Sequence, residues 1–421
     1  MFDRILQVFQ WILVVLALSF AVRGGAVRYD TEINPYRDYT RGIRFDYVTW
    51  VADATFIKLQ QAAIGSPYAL SRERRKVIVM DYLRNMDHVL YTEWQLSQIY
   101  ADPNIADPDS ASRDLRAYLD KLYAEQHRIA PFAESVLEEQ VAAMLAEANL
   151  TLGGQPLPDP MYHVSPLPLS LIVSPRDSIY QEKNISLLAD LPVDERDALE
   201  ERIFEEQNRS ALVVEVGGIG IYPTMGMRSS NLPWVVTTLA HEWTHNHLSL
   251  FPLGMNYDTT PELRTINETV ATIVGTEIGD AVIERYYPEM AAANRAPVGL
   301  VSSVDGMPNP QEAPFDYRAE MHDTRLHVDE LLAEGKVTEA EDYMEMRRQF
   351  FWENGYAIRK LNQAFFAFHG AYAAVPGGAA GEDPVGPAVR KLREQSGSLE
   401  EFIRRVRWVN SFDDLLAMVE E

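Results

Sequence analysis

The chain has 421 residues, a formal net charge of −24 at pH 7 and 47% hydrophobic residues. That length exceeds one ordinary core and predicts two or three packed units. The acidic balance excludes a nucleic-acid binder, which needs a basic face. The lack of any cysteine removes disulfides, thiolate zinc ligands and a cysteine nucleophile.

Residues 5–22, Ile5 to Val22, form an apolar run preceded by Arg4. A helix of that length spans about 27 Å, enough to cross a bilayer. Ser19-Phe20-Ala21 also offers a small-residue cleavage site. Residues 1–28 therefore read as a signal peptide or an uncleaved membrane anchor. Arg23, Arg28, Arg37 and Arg41 follow the run and argue for a cytoplasmic body. An N-terminal export signal argues the opposite, and the reading favours a membrane-anchored or exported protein with an extracytoplasmic body.

The fold class expected is α+β and mostly helical. Residues 29–150 open with a polar linker over 30–45, and apolar spacings then predict helices near 46–63, 72–100 and 112–149, an N-terminal bundle. Pro131 is expected to kink or divide the third. His88 and His127 have no ligand partner at helical spacing and read as ordinary residues. Residues 151–168 hold Gly153-Gly154 and several prolines, a boundary or crossing segment. Residues 151–300 follow as a core with a small β-sheet. Leu169–Ser174 and Ile185–Leu188 read as strands, Pro192–Gln207 as a helix, and Ala211–Pro223 as β-rich with internal glycines. Thr224–Asn231 reads as a loop.

Residues 233–250 form one buried helix, with Pro233 suited to a first turn and Asn231 upstream as a cap. Within it, His241-Glu242-Trp243-Thr244-His245 places two imidazoles one turn apart on one face. Two such rings can bind one zinc ion, and Glu242, rotated by about 100°, sits beside it as a proton acceptor. His247 points off that face. A zinc site that works on a substrate needs a third protein ligand and an open fourth position. A second amphipathic helix begins near Pro261 and carries Asn267-Glu268 in an early turn.

His-Glu-x-x-His, followed some twenty residues later by Asn-Glu on a second helix, resembles the gluzincin metallopeptidases, the thermolysin-like clan. The resemblance covers residues 211–287. It implies one Zn2+ per chain held by His241, His245 and Glu268, with Glu242 as general base in peptide-bond hydrolysis. It also implies a substrate-binding strand edge, here Gly217, Gly218, Ile219 and Gly220, and a peptide or protein as substrate. The usual aspartate four residues after the ligand glutamate is replaced by Thr272. Asp258 and Glu277 are the alternatives for orienting His241, with helical geometry against Glu277. A buried carboxylate near the edge would mark an aminopeptidase, and Glu215 is the nearest acidic residue.

Residues 301–421 are expected to form a helical C-terminal unit closing the cleft. Helices are predicted over 316–333 and 337–372, and 291–315 and 374–388 read as loops. Short helices fill the tail from Val389, broken at Ser396-Gly397 and Asn410-Ser411. The resemblance implies an oxyanion-stabilising Tyr or His from this side, with His369, Tyr372 and Tyr356 as candidates. Two other readings stay open: a non-catalytic membrane-associated scaffold, and a zinc hydrolase of a non-peptide amide or ester.

Overall fold

The structure, a computed structural model, describes residues 35–64, 70–101, 107–291, 315–356, 358–370 and 384–420. The apolar run 5–22 and Tyr372 lie outside the described residues. Among the described residues the protein is mostly helical with two small sheets, and no helix there is long and apolar enough to cross a membrane.

The first helices are α1 (Tyr47–Ile64), α2 (Arg72–Ala101), a short α3 (Pro108–Ala111) and α4 (Arg113–Glu147). α4 runs unbroken through Pro131, so the expected division does not occur. Six short strands follow, with one helix among them: β1 (Tyr162–Val164), β2 (Leu169–Pro175), β3 (Lys183–Leu187), α5 (Val193–Gln207), β4 (Arg209–Val214), β5 (Gly218–Ile219) and β6 (Thr224–Gly226). β3-β2-β4 is antiparallel. Every residue of β2 is buried because helices cover both faces of this sheet. Side chains alternate across it. Leu171 and Val173 pack with Leu199 and Ile203 of α5, while Ile172 joins a separate cluster on the other face.

The second sheet has the order β1-β6-β5, with β1 parallel and β5 antiparallel to β6. β6 lies in the stretch expected to be loop; three residues are too few to show an alternating pattern. Residues 35–45 are likewise not a free linker. Tyr36 is buried in the α5 cluster, and backbone bonds from Phe45 to Ser186 and from Leu188 to Ile43 add the segment to the edge at β3.

The metal-site helices come next, α6 (Leu232–Leu248) and α8 (Pro261–Tyr286), joined through the short α7 (Pro252–Met255). After α9 (Pro288–Ala291) come α10 (Tyr317–Ala333), α11 (Val337–Glu353), α12 (Gln363–His369), α13 (Val385–Gln395), α14 (Leu399–Val406) and α15 (Phe412–Glu420). The single helix expected over 337–372 is two. α11 ends before Gly355, whose φ of +89° is left-handed, and the Asn362 side chain caps a new start by accepting from the Phe365 N–H. One core joins α2, α4, α6, α8 and α13–α15, through Leu137, Val236, Val270 and Phe402 among others. α10–α12 instead cover the outer face of the β3-β2-β4 sheet, with Met321, Phe351 and Phe366 against Ile172 and Leu212.

α6 and α8 pack closely because α8 is bare where they meet. A Cβ on Gly275 would lie 2.9 Å from the Thr237 carbonyl oxygen and 3.0 Å from the His241 Cβ. A Cβ on Gly279 would lie 2.4 Å from the Thr237 hydroxyl oxygen. Gly275→Ala gains roughly 1 kcal/mol of helix propensity. Pressing a methyl on backbone, it is still expected to destabilise the protein, because overpacking costs about 1–3 kcal/mol. Urea denaturation measures the difference, and an unchanged midpoint would show that the two helices yield without loss.

Candidate metal centre

α6 starts where its sequence directs. The Asn231 side chain accepts from the Trp234 N–H at 3.1 Å, and Pro233 occupies the first turn. Its back face is latched as well as packed. The Trp243 indole N–H donates to the Pro158 carbonyl at 2.7 Å, and His247 Nδ1 donates to the Leu157 carbonyl at 2.7 Å. Burial lowers the His247 pKa, so that ring is a neutral structural group. α8 is capped by the Thr260 hydroxyl, which accepts from the Leu263 N–H at 3.2 Å.

The two helices bring His241, His245 and Glu268 together, the one such three-ligand group among the described residues. The two Nε2 atoms are 3.1 Å apart, and each lies 3.5 Å from Glu268 Oε2. Ligands about 2.0–2.1 Å from a tetrahedral zinc stand roughly 3.3 Å from one another, so the spacing fits. The chemistry fits too. Glu268 is 3% exposed, and its Oε2 is buried with no hydrogen-bond partner, an arrangement that is costly unless a cation faces it. Burial opposes charge on His245, yet Glu268 and Glu242 raise its pKa to about 9. Burial also opposes charge on Glu268, and the two imidazoles still hold its pKa well below the carboxylate range. The site calls for positive charge at one point.

The groups behind the ligands escaped sequence reasoning. The Asn267 side-chain oxygen lies 2.7 Å from His245 Nδ1, and its amide nitrogen donates to the Leu253 carbonyl at 3.4 Å. That second bond sets the amide orientation, so Asn267 offers its oxygen to an Nδ1–H, which leaves Nε2 as the nitrogen that would face a metal. The Tyr257 hydroxyl donates to Glu268 Oε1, and the Tyr257 ring meets His245 edge-on at 5.9 Å. Arg264 reaches the Tyr257 hydroxyl at 3.4 Å and the Ala367 carbonyl at 3.3 Å, tying α12 to the same group. Asn267 was visible as the neighbour of Glu268, but Tyr257 sits in a connection without periodicity. Asn267→Ala is expected to weaken metal binding about 10–100-fold, as loss of an outer partner does. Chelator competition measures this, and unchanged affinity would remove Asn267 from the site.

Glu242 is 7% exposed and turned toward β5. A Cβ on Gly218 would come within 2.6 Å of its Oε1, and one on Gly220 within 3.0 Å of the His245 Cβ. A side chain at Gly218 would displace the Glu242 carboxylate, and one at Gly220 would crowd the His245 Cβ. Burial and Glu268 push the Glu242 pKa up against the pull of His241 and His245. β5 is the edge of its sheet, so the segment holding Gly217, Gly218, Ile219 and Gly220 borders the centre with one side unpaired in the sheet.

The other sequence candidates are placed as follows. Thr272 donates to the Glu268 carbonyl of its own helix at 2.8 Å. Glu277 pairs with Arg393 at 2.7 and 2.9 Å, which removes it as a partner of His241. Glu215 has a 67% exposed side chain and faces Arg196 at 3.7 Å, so it is not a buried carboxylate. His369 packs on Phe365 and Phe368 with centroids 4.3 and 5.0 Å apart, and burial lowers its pKa to about 4. Among the described residues no hydrogen bond joins it to the ligands. Tyr356 stacks on Tyr317 at 4.5 Å, within the cluster on the outer sheet face. Comparison with family models, curated proteins and solved structures finds no match for this chain.

Proposed function

We propose that the protein is a zinc-dependent metallopeptidase that hydrolyses peptide bonds in a peptide or protein substrate. The observation that carries this reading is the convergence of His241 Nε2, His245 Nε2 and the unpartnered, buried Oε2 of Glu268, with Glu242 beside them. Zinc held there would supply a Lewis acid that polarises a carbonyl and makes water acidic near pH 7.

This chain's residues do the rest. Glu242 takes a proton from the attacking water and returns it to the leaving amine. Asn267 holds the His245 tautomer, and Tyr257 holds Glu268. The free edge of β5 offers backbone groups to an extended peptide, as in strand addition. The oxyanion needs a donor as well, a role that the resemblance would give to His369 or Tyr372. The body belongs outside the cytoplasm, exported or anchored through residues 5–22.

The test is the metal content of the purified chain, beside His245→Ala. About one zinc per chain, lost in the variant, is expected, together with cleavage of a peptide library that a chelator stops and added zinc restores. Well-folded protein that takes up no metal from a zinc solution would overturn the reading.

A further inference from the structure

We propose that the outer face of α1 rests on the surface of a lipid bilayer. α1 turns an apolar stripe outward and its one lysine inward. At about 100° per residue, Ala54, Lys58 and Gln61 share one side, while Val48, Ala52, Phe56 and Leu59 fall within roughly 80° of arc on another. The polar side faces inward. Lys58 is 6% exposed, with its Nζ 2.7 Å from Glu134 and 2.9 Å from Glu138 of α4. Gln61 donates to the same Glu134 carboxylate at 3.4 Å. An apolar stripe faces outward, with Val48 74%, Phe56 62% and Leu59 65% exposed, bordered by the exposed Thr49 and Asp53.

In water a helix turns its apolar stripe inward and its charges outward. The reverse arrangement suits a helix whose outer side meets an apolar medium, and helices that lie in a membrane interface bury such a face. α1 cannot roll to hide these side chains. The Lys58 ion pairs hold its middle, and the Trp50 indole N–H donating to Ser165 at 3.0 Å holds its first turns.

Two features select a bilayer over a protein. The apolar run 5–22 ends at Val22, and residues 23–34 alone separate it from Pro35. Fully extended, that link reaches no more than roughly 45 Å. A run seated in a membrane therefore keeps α1 within reach of the same membrane. Charge agrees. The chain carries −24, which anionic lipid repels, but over residues 35–53 Arg37, Arg41 and Arg44 balance Asp38, Asp46 and Asp53. The contact is then apolar, needs no anionic headgroup and resists salt. None of this depends on the peptidase reading.

The chain has no cysteine, so Phe56→Cys and Leu59→Cys each create a single site for a thiol-reactive fluorophore. Trp352→Cys, at a 62% exposed position on α11, is the control. The full chain is reconstituted with neutral phosphatidylcholine vesicles. Dye at 56 and 59 is expected to be quenched several-fold more by shallow lipid-borne nitroxides than by aqueous iodide, and dye at 352 the reverse. Iodide quenching at 56 and 59 equal to that at 352 would overturn the proposal, as would a chain that does not bind the vesicles. Shielding from both quenchers with concentration-dependent self-quenching would assign the face to a second copy of the chain and likewise reject the bilayer.

Discussion

Glu242→Gln is expected to keep metal binding and to cut peptide hydrolysis by about 10²–10⁴-fold, the range that a positioned acid–base group contributes. Glutamine has nearly the same shape, so the fit against Gly218 and Gly220 is preserved. What it lacks is a basic oxygen. The loss should fall on kcat with little change in KM, because proton transfer belongs to the transition state. Metal analysis on the same preparation separates the two effects. A variant that keeps its zinc and most of its activity would remove Glu242 as the base. One that loses the metal would show that the carboxylate acts through the electrostatics of the site.

Glu268→Ala is expected to lose metal affinity by more than the 10–100-fold typical of an outer partner, since it removes a ligand itself. Two imidazoles would remain, and the Tyr257 hydroxyl would lose the oxygen to which it donates. Chelator competition gives the affinity. Thermal melting gives a second readout, because a ligand that binds only the folded state stabilises by RT ln(1 + [L]/Kd). Added zinc should raise the melting temperature of the parent and leave the variant unmoved. Stoichiometric tight metal in the variant would place the third ligand elsewhere.

Local pattern carried much of this protein. Asn231 and Pro233 announced the start of α6, and the period of 3.6 put His241 and His245 on one face. The three long helices of the first 150 residues were readable from apolar spacing, because each repeats its pattern over several turns, whereas the one-turn α3 was not, and α13 starts at Val385, inside a stretch that read as loop. Where the pattern was short or interrupted, reading failed. β6 has three residues, and Pro131 sits inside a helix that packing sustains on both sides. Gly355 ends α11 within a run of aromatic residues that suggested continuity.

The amino-acid sequence by itself determined that two imidazoles and a carboxylate stand on adjoining faces of one helix, because a helix fixes the geometry of residues three and four apart. Only the tertiary structure decided what meets them. The distance from Glu268 Oε2 to both rings, the Asn267 and Tyr257 bonds, the bare strand against Glu242 and the Lys58 ion pair that turns α1 each join different elements of the chain. Such meetings are set by close packing and by the need to pair every buried charge, and no local period encodes them.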